Sequence, residues 1–310
     1  MSRSINLAEL PDPDVIETLD LEAIIQANKD HLISLHPASS QADVQRVLAL
    51  ESEPLTKFIE LLSYREMLLR ARYNDEARAL LLAKAKGSNL DHIAYTYYRR
   101  EIRLVVVEAD PDSDPAVEEV LEDDEEFRNR VALKPESYSV AGPTQAFIFH
   151  ALSASGQVKS ATATSPQPGT SLVTVLSKEG DGTPAQALLD TVFSALNTDE
   201  VRPQSEEVVV QAAEILNYGL GVEIFIYPGP DNALVVSNAL ANLQAYTKAA
   251  HVLDENISLS ALEKAAHQPG VQHVNIVVTG TAMADNQILV SKLQAAYCTG
   301  IAITARTAAP

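Results

Sequence analysis

The chain has 310 residues, and its 42 acidic residues outnumber 23 basic ones to give a net charge of −19. The length predicts two or three domains, and the negative charge argues against binding to nucleic acid or to an anionic membrane surface. The single cysteine, Cys298, excludes an intrachain disulfide, and no apolar run approaches the ~20 residues needed to cross a bilayer.

The first hundred residues have the pattern of an extended helical region. Asp20 can cap the first helix, and Pro54 suits the first turn of a later one. No further proline or glycine occurs until Gly87, which we expect to end that later helix. The expected helices cover residues 20–35, a segment ending near 52, a long helix over 55–86 and a short one over 89–98. Together they define a first region, 1–102.

The long helix carries two apolar stripes at helical spacing, which predicts contacts on both of its sides. The first stripe comprises Leu55, Phe58, Ile59, Leu62 and Leu69, and the second begins with Leu61, Tyr64 and Leu68. Burying the five residues of the first stripe is worth about 8–15 kcal/mol as an upper bound. We therefore favour a helix bundle shared with another chain, although a long core helix of a single helical domain has the same periodicity. The candidate interface residues are Leu55, Phe58, Ile59, Leu62, Tyr64, Arg65, Leu69 and Arg72.

The rest of the chain alternates strands and helices. Expected elements are a strand over 103–108, an acidic loop over 110–126, a helix over 143–154, strands over 157–164 and 171–177, a helix over 184–197 and a strand over 208–212. Further elements are a strand over 222–227 before a Pro-Gly-Pro turn at 228–230, helices over 231–250 and 258–267, and strands over 271–279 and 298–305. The expected fold is α+β and multidomain: the helical region, a middle α+β domain (103–214) and a C-terminal α+β domain (215–310).

Catalytic and metal-binding signatures are missing from the sequence, so we expect no catalytic, cofactor-binding or metal-ligating residues. Asp110, Asp112 and Asp114 imitate the start of a calcium loop. The sixth position of that loop is proline instead of glycine, and the twelfth is Leu121 instead of glutamate, so a solvated charged loop is favoured. His267 and His273 flank a Pro-Gly break and are expected to be an ordinary pair. An acidic enzyme or ligand-binding protein remains the alternative to a structural role.

Short motifs spread along nearly the whole chain resemble those of the baseplate J-like proteins, the wedge proteins of contractile phage tails. They are Leu10-Pro11-Asp12-Pro13, Leu50-Glu51-Ser52-Glu53-Pro54-Leu55, Tyr64-Arg65-Glu66, Asn74-Asp75-Glu76-Ala77-Arg78, Ser139-Val140-Ala141-Gly142, Val201-Arg202-Pro203, Tyr227-Pro228-Gly229-Pro230 and Pro269-Gly270-Val271-Gln272-His273-Val274. Each motif alone is weak, but their order and spacing make chance similarity implausible.

The resemblance implies a structural protein of a phage tail or tail-like particle, without catalytic residues or cofactors. It implies that two copies join one smaller baseplate I-like wedge protein through bundled N-terminal helices. C-terminal domains would meet those of neighbouring wedges in a sixfold ring around the hub and spike, near the sheath initiator, and the assembly would change geometry on contraction. Assembly in the bacterial host cytoplasm follows from the same resemblance. The acidic segment 118–126 matches no known function of the family.

Overall fold

The computed structural model describes residues 7, 10–113, 115–139, 142–227 and 232–307. The chain forms two compact units, Met1–Ile102 and Arg103–Pro310. The first is helical and the second mixes helices with sheets, so the α+β, multidomain fold class is confirmed. Among the helices described, none combines the length and the apolar composition that a membrane crossing requires.

The described residues of the first unit form four α-helices. They are α1 (Leu21–Ser34), α2 (Gln41–Leu48), α3 (Pro54–Ala79) and α4 (Gly87–Tyr97). Asp20 caps α1 as expected, because its side chain accepts hydrogen bonds from the backbone N–H groups of Glu22 and Ala23. Pro54 lies in the first turn of α3, where its missing N–H costs no hydrogen bond.

The long helix ends earlier than the sequence predicts. It has 26 residues and stops at Ala79, so its length is about 39 Å, and Gly87 opens α4 instead of ending α3. Beyond the turn Ala85 is fully buried, and Arg78 and Lys84 both pair with Asp12, at 3.0 and 3.2 Å. Exposed ion pairs contribute little, so it is the burial beyond the turn that outweighs the helix propensity of residues 80–86.

The N-terminal part of the second unit is a three-stranded sheet covered by two helices. Its elements are β1 (Val105–Val107), β2 (Val120–Leu121), α5 (Asp124–Leu133), α6 (Thr144–Ala154), β3 (Val158–Gln167), β4 (Thr170–Ser177), α7 (Gln186–Leu196) and β5 (Glu207–Ala212). The order is β3-β4-β5, antiparallel between the first pair and parallel between the second. Phe147 of α6 and Val192 of α7 are buried against Val173 and Val175 of β4.

A buried ion pair joins the acidic segment to α5. The segment 110–126, expected to be an acidic loop, contributes β2 and the start of α5. Glu122 and Arg130 are both almost fully buried and meet through two hydrogen bonds of 2.9 and 2.6 Å. Glu122 also accepts the backbone N–H of Leu104 at 2.9 Å. The guanidinium groups of Arg103 and Arg130 both lie about 5 Å from the ring centroid of buried Phe127.

The C-terminal part of the second unit contains a second three-stranded sheet. Its elements are β6 (Glu214–Ile226), α8 (Asn232–Ala249), β7 (Ile257–Ser258), α9 (Leu259–Ala266), β8 (Val271–Thr279), β9 (Gln287–Ile288) and β10 (Gln294–Thr307). The order is β10-β6-β8, parallel between β10 and β6 and antiparallel between β6 and β8. Leu220, Val222 and Ile224 of β6 are buried with Ala239 and Leu243 of α8. Both β6 and β10 are longer than the expected strands.

The two parts of the second unit are in close contact. Only Ala213 separates β5 from β6, and Leu176, Leu253 and Ala295 form a small buried cluster with it. Nearby, buried His251 bonds through Nδ1 to the carbonyl of Ala296 at 2.8 Å, and burial lowers the pKa of its imidazole. The boundary predicted after residue 214 falls beside this cluster and stays a prediction.

Several sequence expectations lie outside the described residues. They concern Asp114 of the acidic loop, Val140 and Ala141 of one motif, the turn at 228–230 and the helix start at Asp231.

The buried ion pair leads to a stability prediction. Arg130→Met is expected to lower the free energy of unfolding of the second unit by about 3–5 kcal/mol, because it leaves the Glu122 carboxylate buried without its cation. The matched control is Arg306→Met, since the Arg306 side chain is 70% exposed and pairs with Glu223 at 2.6 Å. Removing that exposed pair should cost at most about 1 kcal/mol. Urea unfolding followed by circular dichroism measures the free energy of unfolding of both variants. Equal losses would show that the buried pair stabilises the unit no more than the exposed pair does.

Candidate assembly interface

The side of α3 that faces its own chain is largely polar. Its buried residues are Thr56, Ile59, Ser63 and Asn74, which recur at helical spacing. Only Ile59 is a large hydrophobic residue. The Thr56 hydroxyl donates to the carbonyl of Leu48 at 3.4 Å, which ties α3 to the end of α2. The contacts of α3 within its own unit therefore rely on hydrogen bonds more than on leucine packing.

A polar network joins α1 to the middle of α3. The amide nitrogen of Asn28 donates to the Ser63 hydroxyl at 3.0 Å and to the Glu66 carboxylate at 3.1 Å. Glu66 also accepts from Arg70 at 2.7 Å. Hydrogen bonds from Asn28 and then Arg70 lower the pKa of Glu66, because they favour the charged carboxylate. The network fixes which side of α3 faces α1.

The segment before α1 lies along the C-terminal half of α3. The side chain of buried Asn74 bonds to both backbone groups of Glu17, accepting from its N–H at 3.0 Å and donating to its carbonyl at 2.8 Å. Hydrogen bonds from Arg78 and then Lys84 lower the pKa of Asp12. This N-terminal arm, residues 10–20, thus covers the polar side of α3 and leaves its apolar side uncovered.

The opposite side of α3 exposes most of its large hydrophobic residues. We call this surface the outer apolar face; it comprises Leu55, Phe58, Leu61, Leu62, Tyr64, Leu68, Leu69 and Tyr73, with exposed fractions from 41% to 63%. Scattered exposed leucines are ordinary, but a continuous row along one helix marks an interaction surface. The helix is therefore inverted relative to a common amphipathic helix, which turns its leucines toward its own core.

The structure places seven of the eight candidate interface residues on the exposed surface of α3. Ile59 is the exception, because it is only 6% exposed and belongs to the core of its own chain. Arg65 is exposed, and Arg72 pairs with Glu76 at 2.9 Å beside the apolar residues. Sequence reasoning missed Tyr73 and the role of Asn74. The row of small polar residues at helical spacing was the available signal for the inward side.

The sequence also singled out an acidic loop and a histidine pair as possible sites. In the part of the chain that the structure describes, no three His, Cys, Asp or Glu side chains are arranged to hold a metal ion. The carboxylate of Asp110 accepts the backbone N–H of Asp112, which is turn geometry. The His273 ring contacts that of Phe225, with centroids 5.8 Å apart.

Comparison with known proteins decides the family. Residues 51–110 match the Baseplate J-like N-terminal domain, and residues 139–212 match the Baseplate J-like central domain. The chain is 41% identical over 295 residues to Baseplate protein J of Escherichia phage P2, and the match covers 95% of both chains. The chain belongs to the baseplate J-like family. This confirms the resemblance inferred from the sequence motifs.

Baseplate J-like proteins are structural components of phages, so this chain is a structural baseplate protein and not an enzyme. Among solved structures, the chain is similar to one in the cryo-EM structure of the anti-feeding prophage (AFP) baseplate, 6-fold symmetrised. That similarity has 10% sequence identity and a TM-score of 0.43, and it covers 59% of this chain and 45% of the other.

Paired truncations on α3 test the inverted helix. Ile59→Ala should lower the local stability of the first unit by about 2–5 kcal/mol, because it opens a cavity in the buried side. Leu62→Ala, on the outer apolar face, should change it by less than about 0.5 kcal/mol. Hydrogen–deuterium exchange of the amides of α1 and α3 in the isolated full chain measures both effects. Similar protection losses in the two variants would mean that the outer apolar face is covered by its own chain.

Proposed function

We propose that this baseplate J-like protein is a wedge subunit that assembles through the outer apolar face of α3. The observation that carries the proposal is the exposure of that face in a chain whose own contacts use the polar side of the same helix. Fully burying an exposed leucine or phenylalanine is worth about 1.5–3 kcal/mol, and these side chains are already about half covered, so each would gain roughly half of that value. Covering several of them together still favours association.

The partners we propose for this face are helices from a second copy of the chain and from one smaller baseplate I-like wedge protein. Two features support a bundle. The face has leucines at both Leu61–Leu62 and Leu68–Leu69, which widens it enough to contact two helices instead of one. Arg65 and Arg72 lie beside the leucines and can form the polar rim that surrounds the core of an interface.

For the second unit we propose contacts with neighbouring wedges in a sixfold ring, and with hub, spike and sheath-initiator proteins close by. We keep the division into 1–102, 103–214 and 215–310 as the domain proposal. Close to the proposed boundary at residue 102, α4 ends in a Schellman motif: the N–H of Arg100 donates to the carbonyl of Tyr95 at 3.2 Å, and Arg99 has a φ of 55°.

We also propose that the assembled subunits change their geometry when the tail contracts. Helices bundled through α3 would stay together, because separating them exposes their leucines to water. Contacts made by the second unit would break or change, since packed interfaces switch between discrete arrangements. We propose that the protein assembles into the baseplate in the bacterial host cytoplasm, in an infectious phage or in a phage-tail-like particle.

Co-purification of the full chain with the smaller wedge protein tests the proposal. Leu62→Asp and Phe58→Asp should each abolish recovery of the complex, because burying an unpaired carboxylate in an apolar interface is prohibitive. The control is Leu289→Asp, since Leu289 is 53% exposed and belongs to the second unit. This variant should recover the complex at the level of the unchanged chain. An intact complex with both α3 variants would contradict the proposed interface.

A further inference from the structure

The joint between the two sheets of the second unit contains little apolar surface. Its buried apolar residues are two leucines and two alanines, Leu176, Leu253, Ala213 and Ala295. Beside them, the N–H of Leu253 donates to the Ser160 hydroxyl at a long distance of 3.4 Å. A joint with so few buried apolar side chains opens at a lower free energy than the cores on either side of it.

A histidine is buried in this joint with one of its ring nitrogens unsatisfied. The carbonyl of Ala296 can only accept, so in the neutral ring Nδ1 of His251 carries the proton and donates it over 2.8 Å. Nε2 is then an acceptor, and no described group donates to it. A Cβ atom at Gly182 would lie 2.8 Å from Nε2, so the backbone of the loop between β4 and α7 covers this nitrogen directly.

The groups that face His251 do not compensate a positive charge on its ring. Lys159 of β3 faces it as a second cation, and Asp181 of the covering loop faces it as a carboxylate. The Tyr297 ring of β10 lies edge-on to it, with centroids 5.2 Å apart. Burial is the main cause that lowers the pKa of His251. The Ala296 carbonyl and Asp181 oppose that shift, whereas Lys159 adds to it.

The lysine that faces His251 is poorly solvated as well. Lys159 is half-buried, and its ammonium donates to the backbone carbonyl of Lys248 at 3.3 Å. Burial lowers the pKa of Lys159 to about 8, and the charges of Lys248 and Lys178 act in the same direction while Glu126 opposes them. At neutral pH the joint therefore already holds a positive charge, and protonation of His251 would add another.

We propose that this joint is a proton-operated hinge, in which protonation of buried His251 separates the end of β4 and the Gly182 loop from the start of β10. The neutral ring fits the closed joint, whereas the charged ring needs water that only an open joint supplies. The C-terminal part would then turn about Ala213, the residue between β5 and β6. The inference goes beyond the proposed α3 interface and does not depend on it.

The lowered pKa sets the direction of the pH dependence. In an open joint the imidazole binds its proton at the ordinary pKa of about 6.5, whereas in the closed joint His251 binds it only at lower pH. Closure is therefore fully stabilised above about pH 6.5 and weakens as the pH falls below that value. The pKa of Lys159 acts in the same direction at higher pH, from about 10.5 down to about 8, and adds no further change below.

Thiol labelling of a buried reporter in the full chain measures the opening. With Cys298→Ser as the background, Ala295→Cys places the reporter in the joint, and Ala239→Cys places a matched control in the core between β6 and α8. Both alanines are fully buried. The label is a dithiodipyridine, which also reacts in acid. Lowering the pH from about 7.5 to about 5.5 should increase the labelling rate of the reporter, relative to the control, at least about threefold.

An uncharged variant shows whether His251 causes this increase. His251→Asn keeps an N–H donor for the Ala296 carbonyl but cannot be protonated in this range, so it should abolish the increase. Ala213→Cys, at the buried residue between β5 and β6, is a second joint reporter and should respond as Ala295→Cys does. In NMR spectra of the unchanged chain, the imidazole signal of His251 should titrate over the same pH range as the labelling.

Four outcomes would overturn the hinge. They are a labelling ratio that does not change with pH, an increase that persists in His251→Asn, an imidazole signal that does not titrate over the range of the labelling, and an equal increase at the Ala239→Cys control. The last of these would show that acid unfolds the whole unit instead of opening the joint.

Discussion

The inverted amphipathicity of α3 is the constraint on which the architecture of the first unit depends. Asn28, Ser63, Glu66 and Asn74 hold the helix to its own chain by hydrogen bonds with defined directions, so the helix cannot rotate without breaking them. Leucine packing alone would permit such a rotation, because apolar contacts are not directional. The polar side therefore decides that the leucines face outward. In the proposed assembly, a subunit built this way would gain its remaining apolar burial from the helices of its partners.

Charge is distributed so that it limits where the second unit can associate. Residues 103–126 contain 11 of its 26 acidic side chains and one basic residue. Glu122 is the member of this segment that is withdrawn from water, and its pairing with Arg130 ties the start of the unit to α5. Most of the others remain exposed and discourage non-specific contact between copies. Uncharged parts of its surface are then the places where contact is least opposed.

Much of this organisation could be predicted from the sequence. The family, the fold class, the capping of α1 by Asp20 and the outward stripe of α3 follow from motifs and periodicity. The end of α3 could not be predicted in this way, because the burial of Ala85 beyond the turn depends on tertiary packing that the sequence does not reveal. Ile59 was assigned to the exposed stripe because spacing on one helix cannot tell which neighbour covers which side. The Glu122–Arg130 pair could not be predicted either, because a run of charged residues indicates a solvent-exposed segment unless its packing is known.

The most direct test of the account is an electron cryo-microscopy map of the assembled baseplate at a resolution that shows side chains. The account predicts that Phe58, Leu62 and Leu69 pack against helices of other chains, while Asn74 still bonds to the arm of its own chain. A map in which those three side chains face solvent, or are covered by their own chain, would contradict the account.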